Sequence, residues 1–552
     1  MKLIIVGGVA GGASAAARAR RLSEEAEIIV IERGPDVSFA NCGLPYHIGE
    51  VIPDRGKLLV TSAERLRERF KLDVRVSSEV TAIDREKRTV RIHELTSGRE
   101  YDETYDKIIL APGAAPIRPA IPGADLPRVH TLRNLVDTDR IKGAIDSGVT
   151  QAVIVGGGFI GLELAENFIH RGIATTVVEQ NQQVLGPFDP EIVAPIANAL
   201  SQNGVELLLG QSVEAIVPTA NGLSVRLASG QERSVQLVVL GIGVRPENRL
   251  AAQASLEIGP RGGIRVNEFM QTSDPNIFAV GDAVETTDFV SGERTQVPLA
   301  GPANRQGRIA ANNVFGQTSK YRGTQGTAIL GFFDHTAAMT GASEKTLKRL
   351  GTAYRKVYVH PAHHAGYYPG AETMTLKLLF EPHTGKLLGA QAVGRAGVDK
   401  RIDVLAMAIQ ARMTVFDLEE SELCYAPQYG SAKDPVNMAG FVAAGLLRGE
   451  HPQIDWETLV AVPDSSLLFD VRTEQEFAKG HIPGAINLPI DHLRFRLSEI
   501  PRDRPIVAYC QVGQRGLLAT RILLQAGFDV SNLGGGYKTY LLHHPDLLAK
   551  QK

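Results

Sequence analysis

Two glycine-rich loops, about 150 residues apart, constrain the fold of this chain more than any other feature of its sequence. The first loop, residues 7–12, follows an apolar strand pattern at residues 2–6 and opens an alanine-rich helix pattern. The second loop, residues 156–161, has a similar context. Each unit continues into another apolar strand that ends in an acid, Glu32 or Glu179. A strand, loop, helix and strand with an acid about 20 residues beyond the glycines is the dinucleotide-binding fingerprint.

Each loop has the chemistry that a bound dinucleotide requires. The glycines let the backbone approach a pyrophosphate at the positive end of the helix, and the acid accepts ribose hydroxyls. In the first loop Val9 takes the place of the middle glycine, whereas the second loop is complete. Two such units in one chain indicate one flavin and one nicotinamide nucleotide. No Arg or Lys stands near Glu179 to hold a 2′-phosphate, so we expect NADH rather than NADPH.

Composition excludes several classes of protein. The length of 552 residues predicts three or more domains. Basic and acidic residues nearly cancel, 59 against 61, so we expect no nucleic-acid partner. No apolar run approaches the roughly 18–20 residues that span a membrane, and no signal-peptide pattern precedes the first strand. Three cysteines cannot form a disulfide framework, which favours a cytoplasmic location.

Further strands that open into tight turns occur at residues 108–114, 238–246 and 272–283. With these motifs, residues 1–445 resemble the flavoprotein disulfide reductases that bind two dinucleotides. The resemblance implies FAD and NADH as cofactors, a homodimer whose subunits share their active sites, and Asp282 on the ribityl chain of FAD. The expected cofactor-binding residues are Gly7, Gly8, Ala10, Gly11, Gly12, Glu32, Arg33, Ala111, Pro112, Gly113, Gly156, Gly158, Phe159, Ile160, Gly161, Glu179, Gly243, Gly281, Asp282 and Ala300.

Cys42 is the candidate redox cysteine, and it lies in the stretch Ser38 to Tyr46. Disulfide reductases with two redox cysteines carry a C-x4-C pair in this region, but here there is one cysteine. The stretch is similar to the single-cysteine branch of the family, which contains coenzyme A disulfide reductases, persulfide reductases, and NADH oxidases or peroxidases. A lone thiolate forms a mixed disulfide, attacks a persulfide or is oxidised to a sulfenic acid.

The same resemblance helps to choose within this branch. Its oxidases and peroxidases carry a histidine in the first glycine loop, and this chain has none there. Reduction of a coenzyme A disulfide or persulfide is therefore the preferred activity. An NADH oxidase or peroxidase that uses a cysteine sulfenic acid stays open as an alternative, as does a flavin redox sensor with little turnover.

Ser14, Arg18 and Arg21 are candidates for binding coenzyme A. Their spacings of four and three place them on one face of the first helix. Guanidinium groups suit phosphates, and similar positions bind coenzyme A in the family. Without the resemblance, a solvated outer helix face explains these residues equally well. The resemblance adds Ser38, Asn41 and Lys433 to the candidate coenzyme A site.

Tyrosines in two later stretches resemble those that enter the partner subunit's active site in the family. Our choices are Tyr367 and Tyr425, with Tyr368 as an alternative register. A phenol there would stabilise or protonate a leaving thiolate. Asn304 stands where a close family member has histidine. Histidines at 360, 363 and 364 have no second cluster beside them, so we expect no metal.

Residues 463–552 resemble a single rhodanese (sulfurtransferase) domain, on motifs at 467–472, 480–489 and 508–515. In rhodaneses a six-residue loop, here Cys510 to Arg515, wraps the cysteine sulfur with backbone N–H groups and stabilises a persulfide. The resemblance gives Cys510 and Arg515 catalytic roles. We expect Arg515 to hold the loop against a buried carboxylate such as Asp470. An inactive rhodanese-like module is the alternative.

These observations predict an α/β protein with two Rossmann-like dinucleotide-binding domains, an α+β dimerisation domain and an α/β rhodanese domain. The boundaries are 1–115 with 245–322 for FAD, 116–244 for NADH, 323–447 for dimerisation and 463–552 for rhodanese. A linker of about 16 residues, 448–463, would tether Cys510 at high effective concentration. The predicted function is reduction of coenzyme A persulfide, coenzyme A disulfide and polysulfide, with sulfane sulfur relayed from Cys510 and released as hydrogen sulfide. Which sulfur acceptor matters physiologically stays open.

Overall fold

A computed structural model describes residues 1–461 and 466–548 of the protein, so the predicted boundary at Pro463 lies outside the described residues. The chain forms two compact units. The first contains Met1–Val184 and Asn203–Thr324, and the second contains Leu185–Gln202 and the described residues from Gln325 onward. Among the described helices, none has the length and apolar character needed to cross a membrane.

The first unit is built on two five-stranded parallel sheets. In spatial order, the first sheet contains Ile277–Ala279, Lys107–Leu110, Lys2–Val6, Glu27–Ile31 and Asp73–Arg75. The second contains Glu206–Leu209, Ala174–Glu179, Gln151–Val155, Leu237–Leu240 and Val129–His130. Two antiparallel three-stranded sheets accompany them, with strands Ser78–Asp84, Thr89–Glu94 and Glu100–Thr104, and Val213–Thr219, Gly222–Leu227 and Glu232–Val235.

The central strands are continuous apolar runs because both faces of a parallel sheet are covered. Leu3, Ile4 and Ile5 are fully buried in the first sheet. Crossover helices provide the cover, and Ala10–Leu22 packs along Ala300–Val314. The helices of this unit are Ala10–Leu22, Leu44–Ile48, Ala63–Phe70, Leu135–Asp146, Phe159–His170, Arg249–Gln253 and Ala300–Val314.

The second unit begins with a five-stranded antiparallel sheet. Its strands, in spatial order, are Ala328–Phe332, His335–Gly341, Leu387–Gly394, Met374–Phe380 and Arg355–Val359. The helices beside it are Pro190–Gln202, Glu344–Leu350, Val398–Gln410, Val415–Glu420 and Pro435–Leu447. This sheet with its helices confirms the predicted α+β domain.

A parallel sheet forms the C-terminal part of the second unit. Its strands, in spatial order, are Gln453–Ile454, Val530–Leu533, Ile506–Tyr509, Leu467–Asp470 and Ile486–Asn487. Its helices are Trp456–Ala461, Glu474–Lys479, Ile490–Leu493, Gln514–Gln525, Gly536–Leu542 and Pro545–Leu548. The structure differs from the sequence analysis at the expected linker, because Gln453–Ile454 is an edge strand of this sheet.

Buried polar contacts attach the C-terminal sheet domain to the antiparallel sheet. The Lys356 ammonium lies 2.8 Å from a Glu457 carboxylate oxygen. The His360 imidazole, also buried, lies between the Thr375 and Thr539 hydroxyls at 3.0 and 2.8 Å. Leaving the buried Lys356 or His360 without its partner would cost about 1–3 kcal/mol. The C-terminal domain therefore packs against this sheet through these contacts.

A buried lysine explains why the helix Pro190–Gln202 belongs to the second unit, although the predicted nicotinamide domain at 116–244 contained it. The Lys377 ammonium is fully buried, 2.8, 2.5 and 2.6 Å from carboxylate oxygens of Asp189, Glu191 and Glu344. Burial alone would lower the pKa of Lys377, but the surrounding anionic groups raise it well above its usual value. The lysine therefore stays charged and holds the start of this helix against the sheet.

We expect Lys377→Met to destabilise the protein by about 3–5 kcal/mol, because three buried carboxylates would lose their shared cation. The measurement is urea unfolding followed by circular dichroism. Lys348→Met is the matched control, because Lys348 pairs with Glu344 at 2.8 Å but is largely exposed, and its loss should cost less than about 1 kcal/mol. Equal effects of the two substitutions would contradict the role given to Lys377.

Candidate active sites

In the first glycine loop, backbone segments approach each other so closely that only glycine fits. Gly7 has a φ of +97°, and a Cβ built there would lie 2.1 Å from the Ala111 carbonyl oxygen. A Cβ at Gly12 would lie 1.8 Å from the Gly7 carbonyl oxygen. Val9 is tolerated because its backbone is extended, with a φ of −98°. At the matching place in the second loop, a Cβ on Gly158 would meet no heavy atom within 4 Å.

The acids of the two dinucleotide-binding motifs, Glu32 and Glu179, make equivalent hydrogen bonds. Glu32 accepts the backbone N–H groups of Gly8 at 2.8 Å and Gly34 at 2.7 Å. Glu179 accepts those of Gly157 and Asn181, both at 2.8 Å. Each carboxylate is thereby fixed at the carboxyl end of its parallel sheet, where ligands bind in open α/β folds.

A cavity of about 470 Å³ opens at this end of the first sheet. Cys42 and Asp282 both border it. Burial raises the pKa of the Asp282 carboxyl, and Arg133 opposes that effect. The predicted residues that line the cavity are Gly7, Ala10, Gly11, Glu32, Arg33, Asn41, Cys42, Ala111, Pro112, Gly113, Gly281, Asp282 and Ala300. The glycine cradle and this volume fit a dinucleotide.

Sequence analysis missed Arg133, which also borders this cavity. Its guanidinium donates to the Pro112 carbonyl oxygen at 3.2 Å and pairs with Glu247 at 3.0 Å. Glu247 also lies 3.4 Å from Arg33. No motif contains Arg133, so only the folded chain shows that it joins these segments.

The second loop has the same geometry as the first. A Cβ on Gly156, whose φ is +110°, would lie 2.4 Å from the Gly241 carbonyl oxygen. A Cβ on Gly161 would lie 2.0 Å from the Gly156 carbonyl oxygen. Phe159 and Ile160 begin the helix that follows, and Gly243, with a φ of +118°, lies in the turn after the strand Leu237–Leu240. Within this loop, Gly157 donates the N–H that holds the Glu179 carboxylate.

Cys42 lies in a single helical turn, Asn41–Gly43, directly before the helix Leu44–Ile48. Ser38 has a left-handed backbone, with a φ of +49°, and donates its N–H to the Gly8 carbonyl oxygen at 2.9 Å. This bond joins the cysteine segment to the first glycine loop. Desolvation, with the nearby Glu163 and Asp282 carboxylates, raises the pKa of the exposed Cys42 thiol.

Two groups with shifted pKa values accompany this cysteine, and sequence analysis gave neither a role. Desolvation and the neighbouring Glu166 raise the pKa of Glu163 to about 7. Desolvation and Glu163 raise the pKa of Tyr46 to about 12. Glu163 lies in the helix that starts at the second glycine loop. This position was the one sequence feature that could have pointed to a role for Glu163. Near neutral pH, Glu163 can therefore hold or release a proton close to Cys42.

The predicted coenzyme A face of the first helix packs against the helix Ala300–Val314. Ser14 hydrogen-bonds Asn304, and the Arg18 guanidinium donates to Asn312 at 2.7 Å. Desolvation and the like charges of Arg308 and Arg21 lower the pKa of Arg18. Sequence analysis missed Arg308, although it lies four residues from both Asn304 and Asn312 and so shares their helix face. Clustered guanidinium groups of this kind suit a polyphosphate ligand.

In the second unit, Tyr367 and Tyr425 come together. Their hydroxyl oxygens are 3.0 Å apart, and the residues are 76% and 50% exposed. Tyr368 instead packs edge-on against His364, with ring centroids 5.6 Å apart. The exposed Lys433 is in the same unit, one residue before the buried Asp434 that begins the helix Pro435–Leu447.

Cys510 follows the buried strand Ile506–Tyr509 and is itself fully buried. The loop turns at Gly513, whose φ is +90°, into the helix Gln514–Gln525. Behind the loop, Tyr537 donates its N–H to the Cys510 carbonyl oxygen at 2.8 Å. A Cβ on Gly536 would lie 2.3 Å from that same oxygen. The segment after the last strand therefore supports the cysteine loop directly.

The expected pairing of Arg515 with Asp470 is wrong. Arg515 pairs with Glu476 at 2.6 Å, and Asp470 pairs with the buried Arg472 at 2.6 Å. Arg472 lies two residues after Asp470 in the chain, and its side chain turns back to pair with that carboxylate. The carboxylate available to Arg515 comes from the neighbouring short helix, Glu474–Lys479.

Comparisons with known proteins assign the domains of this chain. Residues 1–307 match the family model for pyridine nucleotide-disulphide oxidoreductase, and residues 327–434 match the dimerisation domain of that family. Residues 457–543 match the rhodanese-like domain. The chain belongs to the pyridine nucleotide-disulphide oxidoreductase family and carries a C-terminal rhodanese-like domain. It is an oxidoreductase, and its family implies FAD and a nicotinamide nucleotide as cofactors.

Some relatives match most of this chain, and others match nearly all of it. Coenzyme A disulfide reductase of Staphylococcus aureus is 36% identical over 444 residues, which cover 80% of this chain and 99% of that protein. Reduced CoADR-RHD of Bacillus anthracis superposes with a TM-score of 0.96 at 49% identity, covering 99% of this chain and 98% of its own. The NAD-dependent persulfide reductase of A. fulgidus gives 0.91 at 37%, covering 98% and 100%. These findings confirm the resemblance seen in the sequence.

Replacing Glu163 by Gln should make Cys42 easier to deprotonate, because a negative charge that raises the pKa of Cys42 is removed. We expect the pH midpoint of Cys42 alkylation to move lower, measured by peptide mass spectrometry in a Cys424→Ser background. Glu166→Gln is the control on the same helix. Because Glu166 raises the pKa of Glu163, its loss should not lower the Cys42 midpoint. Equal downward shifts in both variants would contradict this assignment.

Proposed function

We propose that the protein is an NADH- and FAD-dependent reductase of sulfur–sulfur bonds in coenzyme A persulfide, coenzyme A disulfide and polysulfide. The observation that carries the proposal is one cysteine, Cys42, at the edge of the dinucleotide cavity, with a second, Cys510, in a rhodanese-type loop of the same chain. The names of the Staphylococcus aureus and A. fulgidus relatives, a coenzyme A disulfide reductase and a persulfide reductase, support it.

The residues around the cavity suit FAD, and those around the second glycine loop suit NADH. Glu32 and Glu179 would accept the ribose hydroxyls, because their carboxylates are already oriented by backbone N–H groups. A carboxylate at Glu179 repels a 2′-phosphate, which favours NADH over NADPH. When bound, FAD supplies two-electron transfer between the nicotinamide and the cysteine.

Cys42 breaks the sulfur–sulfur bond of the substrate. Its thiolate attacks the coenzyme A sulfur of the persulfide, forms a mixed disulfide with coenzyme A and releases hydrogen sulfide ion. Two electrons from NADH and protons then return the Cys42 thiolate and the coenzyme A thiol. Glu163, with a pKa of about 7, is placed to hold a proton for a leaving thiolate.

The face formed by Ser14, Arg18, Arg21 and Arg308 would bind the phosphates of coenzyme A, while Ser38, Asn41 and Lys433 would contact the rest of that molecule. We propose a homodimer, supported by the family dimerisation domain. In it, the paired hydroxyls of Tyr367 and Tyr425 would enter the partner's site and stabilise the leaving thiolate. Their high exposure within one chain supports that role.

The rhodanese-like domain would accept sulfane sulfur on Cys510 and pass it to coenzyme A. Lys356 and His360 contact this domain from the antiparallel sheet. A small mobile thiol such as coenzyme A would then carry the sulfur to Cys42, where it leaves as hydrogen sulfide.

An NADH oxidase is the second candidate, favoured by one comparison. The water-forming NADH oxidase of Lactobacillus brevis gives a TM-score of 0.79 at 28% identity, covering 82% of this chain and 99% of its own. Aerobic and anaerobic assays separate the two activities. Oxygen-dependent NADH oxidation faster than anaerobic coenzyme A persulfide reduction would favour the oxidase, and near-zero turnover with every sulfur substrate would favour a redox sensor.

Cys42→Ser should lower anaerobic reduction of coenzyme A persulfide by about 1,000-fold or more, because no other group forms the mixed disulfide. NADH consumption and sulfide release are the measurements, and flavin absorbance should show that FAD is still bound. Cys424→Ser is the control, because this second exposed cysteine has no proposed role. Retained turnover in Cys42→Ser would refute the proposed mechanism.

Cys510→Ser should separate the two halves of the proposed relay. Sulfide release from polysulfide should fall about tenfold or more, because the sulfur-accepting site is lost. Reduction of ready-made coenzyme A persulfide should stay near normal. Equal losses with both donors would mean that the domain only supports the fold, and no loss with either would mean that Cys510 does not relay sulfur.

A further inference from the structure

Two arginines reach the cysteine loop of the rhodanese-like domain. Arg472 donates to the Gln511 side-chain oxygen at 2.9 Å. Arg515 closes the loop at the start of the helix Gln514–Gln525. Glu476 is the largest cause of the raised pKa of Arg515, and Cys510 is a smaller one. These guanidinium groups are where an anionic sulfur donor would be expected to bind.

Both guanidinium groups are already neutralised. Arg472 is buried and bonded to Asp470 through two nitrogens, at 3.0 and 2.6 Å. Arg515 forms a two-pronged pair with Glu476, in which its two terminal nitrogens lie 2.8 and 2.6 Å from the two carboxylate oxygens. The two Arg515 nitrogens that could bind an oxyanion are therefore already bonded to a carboxylate of the same domain.

Glu476 is held firmly in this position. It also accepts the Thr473 backbone N–H at 3.0 Å and the Thr473 hydroxyl at 3.1 Å. Together with Arg515, these bonds lower the pKa of Glu476 to about 2, so it is ionised at neutral pH. An incoming dianion would either displace this carboxylate from four donors or sit next to its negative charge.

We propose that Glu476 is a specificity-determining residue that directs Cys510 towards organic persulfides and against oxyanion donors such as thiosulfate. This inference rests on the proposed sulfur relay. With a persulfide, the Cys510 thiolate attacks the outer sulfur, a sulfur–sulfur bond forms at Cys510, and the donor's bond breaks to release a thiolate. With thiosulfate, the same attack releases sulfite, so two negative charges must be accommodated in the site. Glu476 disfavours the second reaction far more than the first.

The test uses the full-length, FAD-loaded protein in a Cys42→Ser background without NADH, so that only Cys510 turns over. Transfer of sulfur to cyanide is measured with thiosulfate and with glutathione persulfide. Glu476→Gln removes the charge and keeps one acceptor oxygen, which can still serve Thr473 and one Arg515 nitrogen, whereas its amide NH2 cannot accept from the second Arg515 nitrogen. We expect its kcat/KM for thiosulfate to rise about tenfold, and its kcat/KM for the persulfide to change by less than about twofold.

Two further variants keep this test decisive. Glu474→Gln removes the same charge from the same short helix at an exposed position, and it should leave both donors unchanged. Glu476→Asp keeps the charge and should keep the original preference. A parallel rise or fall with both donors in Glu476→Gln, or no change with either, would overturn the proposal. Absence of Cys510-dependent transfer with every donor would overturn the relay itself, and this inference with it.

Discussion

The close approach of backbone to backbone at the two glycine loops is the constraint on which the first unit depends. A side chain at Gly7 or Gly156 would collide with a carbonyl oxygen of a neighbouring strand end, at 2.1 or 2.4 Å. Without that approach, each loop could not lie against the carboxyl ends of the strands, and its backbone N–H groups would not reach Glu32 or Glu179. The sheet, the helix and the acid therefore depend on one another, and together they border the cavity beside Cys42.

In the second unit, buried charge has the corresponding role. Lys377 gathers three carboxylates from two parts of the chain, and Lys356 links the antiparallel sheet to the C-terminal domain. Such networks are costly to bury and are stable only when every member is paired. They therefore specify one arrangement. As a consequence, the rhodanese-like domain packs on the antiparallel sheet of the same unit through Lys356 and His360.

The chemistry of the two cysteines depends on neighbours that are distant in sequence. Glu163 approaches Cys42 from another helix, and Glu476 approaches Arg515 from another element of the C-terminal domain. In each place a carboxylate changes the electrostatic surroundings of a cysteine or of its loop. Glu163 raises the pKa of the Cys42 thiol, and Glu476 pairs with the Arg515 guanidinium at the end of the Cys510 loop.

The sequence by itself determined the fold class and the paired dinucleotide loops, and it singled out Cys42 and Cys510 as candidates, because strand–glycine–helix periodicity and short motifs are local properties. It also located Tyr367 and Tyr425 by resemblance, but their 3.0 Å contact required the folded chain. Tertiary structure alone decided that Arg133, Glu163 and Arg308 join the sites. It also replaced Asp470 by Glu476 as the partner of Arg515, and it turned part of an expected linker into a strand. Ion pairs and edge-strand pairing join residues far apart in the chain, so no local pattern encodes them.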